Sequence, residues 1–225
     1  DVFLANFDAD NALFPGAGDG TVRESGLGPG LSSAASKGHV WADFDLDGAE
    51  DLYLGAGTPA PDQRNRLWLA SSGGFALDTL GAFTAHADTS AAVAGADVDL
   101  DGDVDLFVAN WGGGVDRLYL NRARAGADAS ARRWISVALE GVESNRRGIG
   151  AQVSVRTTDG SGTPRWRHRW LTASTGYAGQ NEPVLHFGLG AAASVDSLVV
   201  RWPSGTVDRL GGVEADDRVV VREGS

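Results

Sequence analysis

Short apolar runs separated by turn residues follow one another along the whole chain. In the first half, Gly, Asp and Asn bound the runs at 52–54, 66–69, 74–77, 106–108 and 117–120. In the second half, Val, Leu and Trp are frequent in the runs at 134–139, 150–155, 165–171, 184–187, 197–200 and 218–221. Runs of this length with turn residues at both ends are typical of β-strands. The pattern predicts an all-β protein, and no run approaches the roughly 18 apolar residues that a membrane helix needs.

Two stretches of the first half repeat each other almost letter for letter. Residues 43–51 read D-F-D-L-D-G-A-E-D and residues 97–105 read D-V-D-L-D-G-D-V-D, and each leads directly into an apolar run. We refer to them as loop 1 and loop 2. Their separation is close to the period of about 50 residues that is typical of propellers and repeat arrays. The sequence therefore predicts a partial β-propeller over residues 1–122, with about two complete four-stranded blades and part of another.

The repeated loop has the composition of a calcium site. Its Asp side chains repel one another unless a cation lies among them, and Ca²⁺ takes six to eight oxygen ligands. Asp at positions 1, 3, 5 and 9 and the carbonyl at position 7 can supply oxygen, while Gly at position 6 permits the sharp turn. An EF-hand needs Glu at position 12, where this chain has Leu54 or Val108. The predicted ligands are Asp43, Asp45, Asp47, Ala49 and Asp51 in loop 1, and Asp97, Asp99, Asp101, Asp103 and Asp105 in loop 2. The alternative interpretation is an Asp- and Gly-rich surface turn that holds no metal.

A third copy of the motif is present only in part. Residues 1–6 (D-V-F-L-A-N) match residues 51–56 and 105–110, so Asp1 takes the place of the last ligand of a preceding loop. The sequence contains no Met, so we do not expect Asp1 to be a translation start. We expect the chain to be the C-terminal portion of a larger propeller, truncated or cleaved before Asp1. A third calcium site would then be shared with the missing segment.

Charge divides the chain into two parts. The formal net charge is −11, and residues 1–130 hold 7 basic and 20 acidic side chains, whereas residues 131–225 hold 12 and 10. The acidic first part argues against nucleic acid as a partner. Residues 123–133 lack apolar periodicity and are predicted to be a linker before a second domain at 134–225. Because Asp loops of moderate affinity fill only where calcium is abundant, we expect an extracellular, periplasmic or cell-surface location.

The first part resembles the FG-GAP/VCBS repeats of integrin-α-like β-propellers. In those repeats a blade carries D-x-D-x-D-G-x-x-D, followed by a segment of the form N-x-L-(Y/F)-x-N-x-G-D-G-T-F. Residues 11–14 (N-A-L-F) and 18–22 (G-D-G-T-V) follow that form, and residues 117–121 (R-L-Y-L-N) keep its first half. The resemblance covers residues 1–122 and implies that Ca²⁺ stabilises a hairpin of each blade.

The second part resembles the ASPIC/UnbV domain, which follows such repeats in bacterial relatives of cartilage acidic protein. The matching blocks are 145–153 (N-R-R-G-I-G-A-Q-V), Gly176-Tyr177 with Gln180, 185–190 (L-H-F-G-L-G) and 195–205 (V-D-S-L-V-V-R-W-P-S-G). The run of strands predicts a small β-sandwich or barrel-like domain. The resemblance implies no enzymatic chemistry.

Residues 165–170 alternate between Arg and an aromatic ring. Period 2 places Trp166, His168 and Trp170 on one face of a strand and three Arg side chains on the other. We predict that the aromatic face is buried and that the basic face is solvated. Alternatively, the basic face docks onto the acidic propeller or binds a sulfated or uronic polysaccharide. No second His or Cys stands at ligand spacing from His186, so it is predicted to be a hydrogen-bonded framework residue, with a catalytic or metal role as the alternative.

These features favour a secreted, calcium-binding recognition or adhesion module without a catalytic constellation. Its expected partners are an N-terminal propeller fragment or further copies of the chain, with an extracellular protein or polysaccharide as ligand. Two alternatives remain open. One is part of a propeller enzyme, a polysaccharide hydrolase or lyase. The other is a self-processing precursor that is cleaved before Asp1.

Overall fold

The computed structural model describes residues 2–6, 9–17, 19, 21–23, 36–57, 64–71, 74–78, 81–86, 89–125, 129–160 and 162–225. Over these residues the chain is all-β, with 3₁₀ turns at Ala82–Thr84 and Ala129–Ala131 and no α-helix. None of the described helical segments has the length and apolar character needed to cross a bilayer. Asp1, the predicted ligand of a third site, lies outside the described residues.

Antiparallel sheets make up the N-terminal part. The strands are β1 (Val2–Leu4), β2 (Ala12–Phe14), β3 (Ser36–Ala42), β4 (Asp51–Ala56), β5 (Arg66–Ser71), β6 (Gly74–Leu77), β7 (Ser90–Ala96), β8 (Asp105–Asn110) and β9 (Arg117–Tyr119). They form a pair β1–β2, a four-stranded sheet β3–β4–β5–β6 and a three-stranded sheet β7–β8–β9. In each of the two larger sheets the strands follow the order of the sequence, so each sheet is a meander.

The two larger sheets carry their Asp loops at equivalent places. Loop 1 joins β3 to β4 and is closed by the pair Ala42–Asp51, while loop 2 joins β7 to β8 and is closed by Ala96–Asp105. Both hairpins also have a register irregularity near the start of their first strand. The letter-for-letter repeat is therefore a repeat of strand pairing as well.

Successive sheets pack face to face. Val40 and Tyr53 of the first large sheet share one core with Val93, Leu106 and other apolar side chains of the second. A smaller cluster of Leu52, Leu54 and Trp68 packs on the opposite side of the first sheet, where Phe3 of β1 also contacts it. Each unit therefore buries its neighbour's apolar face, which an isolated sheet cannot do for itself.

The C-terminal part is built from two further sheets and a short strand pair. Its strands are β10 (Arg133–Glu140), β11 (Gln152–Thr158), β12 (Pro164–Trp170), β13 (Val184–Gly190), β14 (Ser194–Val195), β15 (Ser197–Arg201), β16 (Val207–Leu210), β17 (Val213–Glu214) and β18 (Asp217–Arg222). The sheet orders are β13–β10–β18 and β12–β11–β15–β16, with β14 paired to β17. Both larger sheets contribute to one core, in which Ile135, Val153, Phe187 and Leu198 are completely buried.

The orientation of strand β12 is the reverse of the sequence prediction. Trp166 and Trp170 are 48% and 57% exposed, whereas Arg167 and Arg169 turn toward the N-terminal loops. The prediction of a buried aromatic face and a solvated basic face was therefore wrong. Alternation correctly separated the two faces, but only the tertiary structure supplies the acceptors that draw the arginines inward. Their docking onto the acidic part agrees with the alternative interpretation.

Candidate metal centres

Each Asp loop gathers three carboxylates at one point. Oxygen atoms of Asp43, Asp45 and Asp51 lie within 4.8 Å of one another in loop 1. Their counterparts Asp97, Asp99 and Asp105 do the same in loop 2. The predicted positions 1, 3 and 9 therefore converge in both loops.

Asp47 and Asp101, at position 5 of the loops, do not belong to these two groups of carboxylates. Asp47 accepts a 2.8 Å hydrogen bond from the Ala49 amide, and Asp101 accepts a 2.9 Å bond from the Asp103 amide. These bonds close the turn but leave carboxylate lone pairs free for a further contact. Ligation by Asp47, Asp101 and the carbonyl groups of Ala49 and Asp103 stays a prediction.

Backbone amides hold the first and last carboxylates in place. Asp43 accepts from the Gly48 amide at 2.8 Å and Asp97 accepts from the Gly102 amide at 3.1 Å. Asp51 uses both oxygens, accepting from Phe44 within the loop and from Ala70 on β5. A carboxylate that is fixed in this way loses little further freedom when it binds a cation.

The same double contact recurs in loop 2. Asp105 accepts from the Val98 amide at 2.9 Å and from the Asn121 amide at 2.7 Å, just beyond β9. Asp51 and Asp105 are fully buried. The last carboxylate of each loop therefore also ties the loop to the third strand of its sheet or to the residues just beyond it.

The backbone turn has the same strained form in both copies. Leu46 and Leu100 adopt φ of 62° and 61°, and Gly48 and Gly102 adopt 95° and 92°. The need for Gly at position 6 was predicted, and the structure confirms it, because positive φ strongly disfavours a side chain. The left-handed Leu at position 4 was not predicted, because hydrophobic pattern carries no signal for it.

Burial makes the clustered carboxylates costly in their ionised form. Burial is the largest cause that raises the pKa of Asp43 to about 7, of Asp51 to about 7 and of Asp97 to about 6. Neighbouring carboxylates raise these pKa values further. Oδ1 of Asp43 is buried without a hydrogen-bond partner among the described residues. An oxygen-lined, negatively charged site with an unsatisfied carboxylate oxygen fits a hard divalent cation.

The C-terminal part covers loop 1. Arg167 Nε donates to the Gly48 carbonyl at 3.1 Å, and the Gly190 amide donates to the Leu46 carbonyl at 3.1 Å. Arg169 forms an ion pair with Glu50. A Cβ atom added to Gly188 would clash with the Asp43 carboxylate, so the fit is close.

Loop 2 is covered by a different set of C-terminal residues. His186 Nε2 lies 2.8 Å from the Gly102 carbonyl, and the His186 ring stacks on Trp134 with centroids 5.6 Å apart. Because that carbonyl can only accept, Nε2 carries a proton. Burial lowers the pKa of His186 to about 4, so the ring is neutral. The prediction of a hydrogen-bonded framework histidine is confirmed.

Glu182 and Asn181 complete the cover over loop 2 and were missed by sequence reasoning. The Asp97 amide donates to Glu182 Oε1 at 3.3 Å, and the Gly95 amide donates to Asn181 Oδ1 at 2.9 Å. They lie in a segment without strand pattern, so the sequence offered no signal for this contact.

A repeated hydrogen bond also links successive units. Asn11 Oδ1 accepts from the Ser36 hydroxyl at 2.9 Å, and Asn65 Oδ1 accepts from the Ser90 hydroxyl at 2.8 Å. In each case the Asn belongs to one unit and the Ser to the next. The 54-residue offset between Asn11 and Asn65 and between Ser36 and Ser90 could have revealed the link.

Comparison with known proteins identifies the C-terminal part. No curated protein matches the chain. The resemblance of residues 1–122 to FG-GAP/VCBS repeats stays a prediction. Residues 141–225 match the family described as ASPIC and UnbV, which confirms the resemblance that the four sequence blocks indicate, so the C-terminal domain is an ASPIC/UnbV domain.

Proposed function

We propose that loops 1 and 2 each bind one Ca²⁺ and that the ions are structural. The observation that carries this proposal is the convergence of three carboxylates in each of two equivalent loops, with the first and last carboxylate of each loop less than 10% exposed. Bound Ca²⁺ would offset the burial and the repulsion between carboxylates that oppose ionisation of Asp43 and Asp51. The side chains at positions 1, 3 and 9 would hold the ion, with positions 5 and 7 as further oxygen donors.

We also propose that the N-terminal sheets are blades of a β-propeller. Face-to-face packing of successive meanders and the repeated Asn–Ser bond support this architecture. Val2 and Leu4 on β1 are 46% and 47% exposed, which suits a strand pair that contacts a further blade. Further blades or a second copy of the chain are the partners we propose for this side.

The proposed role of the whole is recognition outside the cytosol. Moderate-affinity Asp loops fill in calcium-rich compartments, and the ASPIC/UnbV domain rests on both loops. Calcium would therefore fix the relative position of the two parts and present the C-terminal surface to an extracellular ligand.

Calorimetric titration tests the metal sites. We expect two Ca²⁺ per chain, a clear rise in melting temperature with calcium, and a much smaller rise with Mg²⁺, which demands a tighter octahedral geometry. Asp45→Asn and Asp99→Asn should each remove one site, and the double variant should remove both. Identical melting in calcium and in chelator would contradict the proposal.

A further inference from the structure

The outer face of the sheet β12–β11–β15–β16 combines exposed aromatic rings with arginines. Its inner face supplies Val153, Val155, Leu198 and Val200 to the core. Strand register places the outer-face residues side by side, because Gln152 lies opposite both Trp170 and Arg201. The aromatic and basic side chains on this outer face are Trp166, His168, Trp170, Arg156, Arg201 and Arg209. We call this set the aromatic–arginine face.

Stacking and a hydrogen bond fix the orientation of the Trp166 and His168 rings on this face. Trp166 and His168 stack with an interplanar angle of 7°, and Ser154 Oγ lies 2.8 Å from His168 Nδ1. The Trp rings are nevertheless about half exposed. Exposed aromatic area of this kind is costly in water and marks a contact surface. A depression of about 500 Å³ runs between these rings, Arg201 and Arg209.

The charge of the face is opposite to that of the molecule. It carries three arginines, and the described residues of its four strands place no carboxylate on the outer side. The chain as a whole has a formal net charge of −11. Solvent-exposed charges are largely screened beyond about 8 Å at physiological ionic strength, so an anion at this face experiences mainly the arginines.

We propose that the aromatic–arginine face binds an acidic polysaccharide that contains uronic acid. The apolar C–H faces of sugar rings can stack on Trp166 and Trp170, and a planar uronate carboxylate matches the two-pronged guanidinium of Arg201 or Arg209. Gln152 between them can bond to sugar hydroxyls. Single-stranded nucleic acid also stacks on aromatic rings, but it requires a basic track along many phosphates, and three arginines in one patch do not supply one.

An acidic polysaccharide as ligand rests on the recognition role proposed above and makes that role specific. The residues of the aromatic–arginine face are distinct from those of loops 1 and 2. Binding of heparosan oligosaccharides, in which glucuronate alternates with N-acetylglucosamine, is measured by calorimetry in saturating calcium. We expect binding that weakens with salt and at least tenfold weaker binding of the same oligosaccharides after carboxyl reduction.

Matched variants locate the binding face. Trp170→Ala and Arg201→Gln should each weaken binding by about tenfold, a change of the size found for lost aromatic stacking. Tyr177→Ala, which removes an aromatic side chain that is 57% exposed elsewhere in the domain, should not. Melting with and without calcium is recorded for every variant, so that loss of the metal sites is distinguished from loss of the ligand site.

Any of the following outcomes would overturn the inference. One is undetectable binding of the oligosaccharide to the calcium-loaded protein. Another is binding that the Trp170 and Arg201 variants leave unchanged. A third is tighter binding of oligo-dT, and a fourth is self-association that Trp170→Ala abolishes, since either would assign the face to a different partner.

Discussion

At the residue scale, loops 1 and 2 bring several buried carboxylates together, and the neighbouring basic groups are too few to neutralise all of them. Asp43 shows this most clearly, since it is 1% exposed and one of its oxygens lacks a hydrogen bond among the described residues. Burial is the largest cause that opposes its ionisation, and the neighbouring Asp45 and Asp47 add to that effect, while Arg169 offsets only part of it. An ionised residue of this kind lowers the stability of the metal-free fold, and a bound cation would offset that cost.

Asp43→Asn separates the cost of an ionised carboxylate in the metal-free protein from its contribution to cation binding. In chelator at pH 8 the variant should melt higher than the wild type, because its side chain is neutral in the same place. The pKa of Asp43 in the folded wild type is raised to about 7, so ionisation of Asp43 lowers the stability of the wild type as pH rises through that value. The difference in melting temperature between the variant and the wild type should therefore be smaller at pH 5. In calcium the order should reverse, since loop 1 loses a ligand. Thermal melting at both pH values measures this, with the exposed Asp10→Asn as control; a variant that melts below the wild type in chelator would contradict it.

At the scale of elements, each Asp hairpin is both a turn and a docking surface. Gly102 has φ of 92°, its carbonyl accepts from His186, and it lies directly beneath the indole of Trp134. The Gly therefore meets two requirements at once, the turn and the close approach of another domain. The sequence predicted only the first of them.

Gly102→Ala should be more destabilising than positive φ alone explains. A side chain at positive φ costs about 1–2 kcal/mol, and displacement of Trp134 should add about 1–3 kcal/mol as overpacking. Gly205→Ala is the matched control, because Gly205 has φ of 96° and open space around its Cβ position. Urea unfolding of both variants in calcium gives the comparison. Equal losses of stability would show that the domain contact at Gly102 is not tight.

At the scale of the whole molecule, the ASPIC/UnbV domain contacts both Asp loops and connects them through hydrogen bonds. Arg167 reaches the carbonyl of Gly48, and His186 reaches that of Gly102. Arg124, beyond loop 2, forms an ion pair with Asp216 at 3.2 Å, which joins the two parts at a further point. Order in the loops and docking of the domain are therefore expected to depend on each other.

Calorimetric melting tests this coupling. We expect one cooperative transition in calcium, and in chelator two transitions, the lower from the N-terminal sheets and the upper from the ASPIC/UnbV domain. The reason is that metal-free loops lose the shape that the domain contacts. Mg²⁺ in place of Ca²⁺ is the control. A single transition that persists in chelator, at whatever temperature, would contradict the coupling.

The sequence by itself determined the all-β class, the two Asp loops, the need for Gly48 and Gly102, and the identity of the C-terminal domain. The strands, the loops and the glycines are local properties, because turn geometry and strand alternation depend on residues within a few positions of each other. The family of the C-terminal domain was recognised from four sequence blocks between residues 145 and 205. The tertiary structure alone decided which face of β12 is buried, that Glu182 and His186 cover loop 2, and that an aromatic–arginine face remains exposed. Period 2 defines two faces of a strand but does not say which one meets a neighbour. That choice depends on acceptors such as Gly48 and Glu50, more than 100 residues away along the chain, which only folding brings to the arginines.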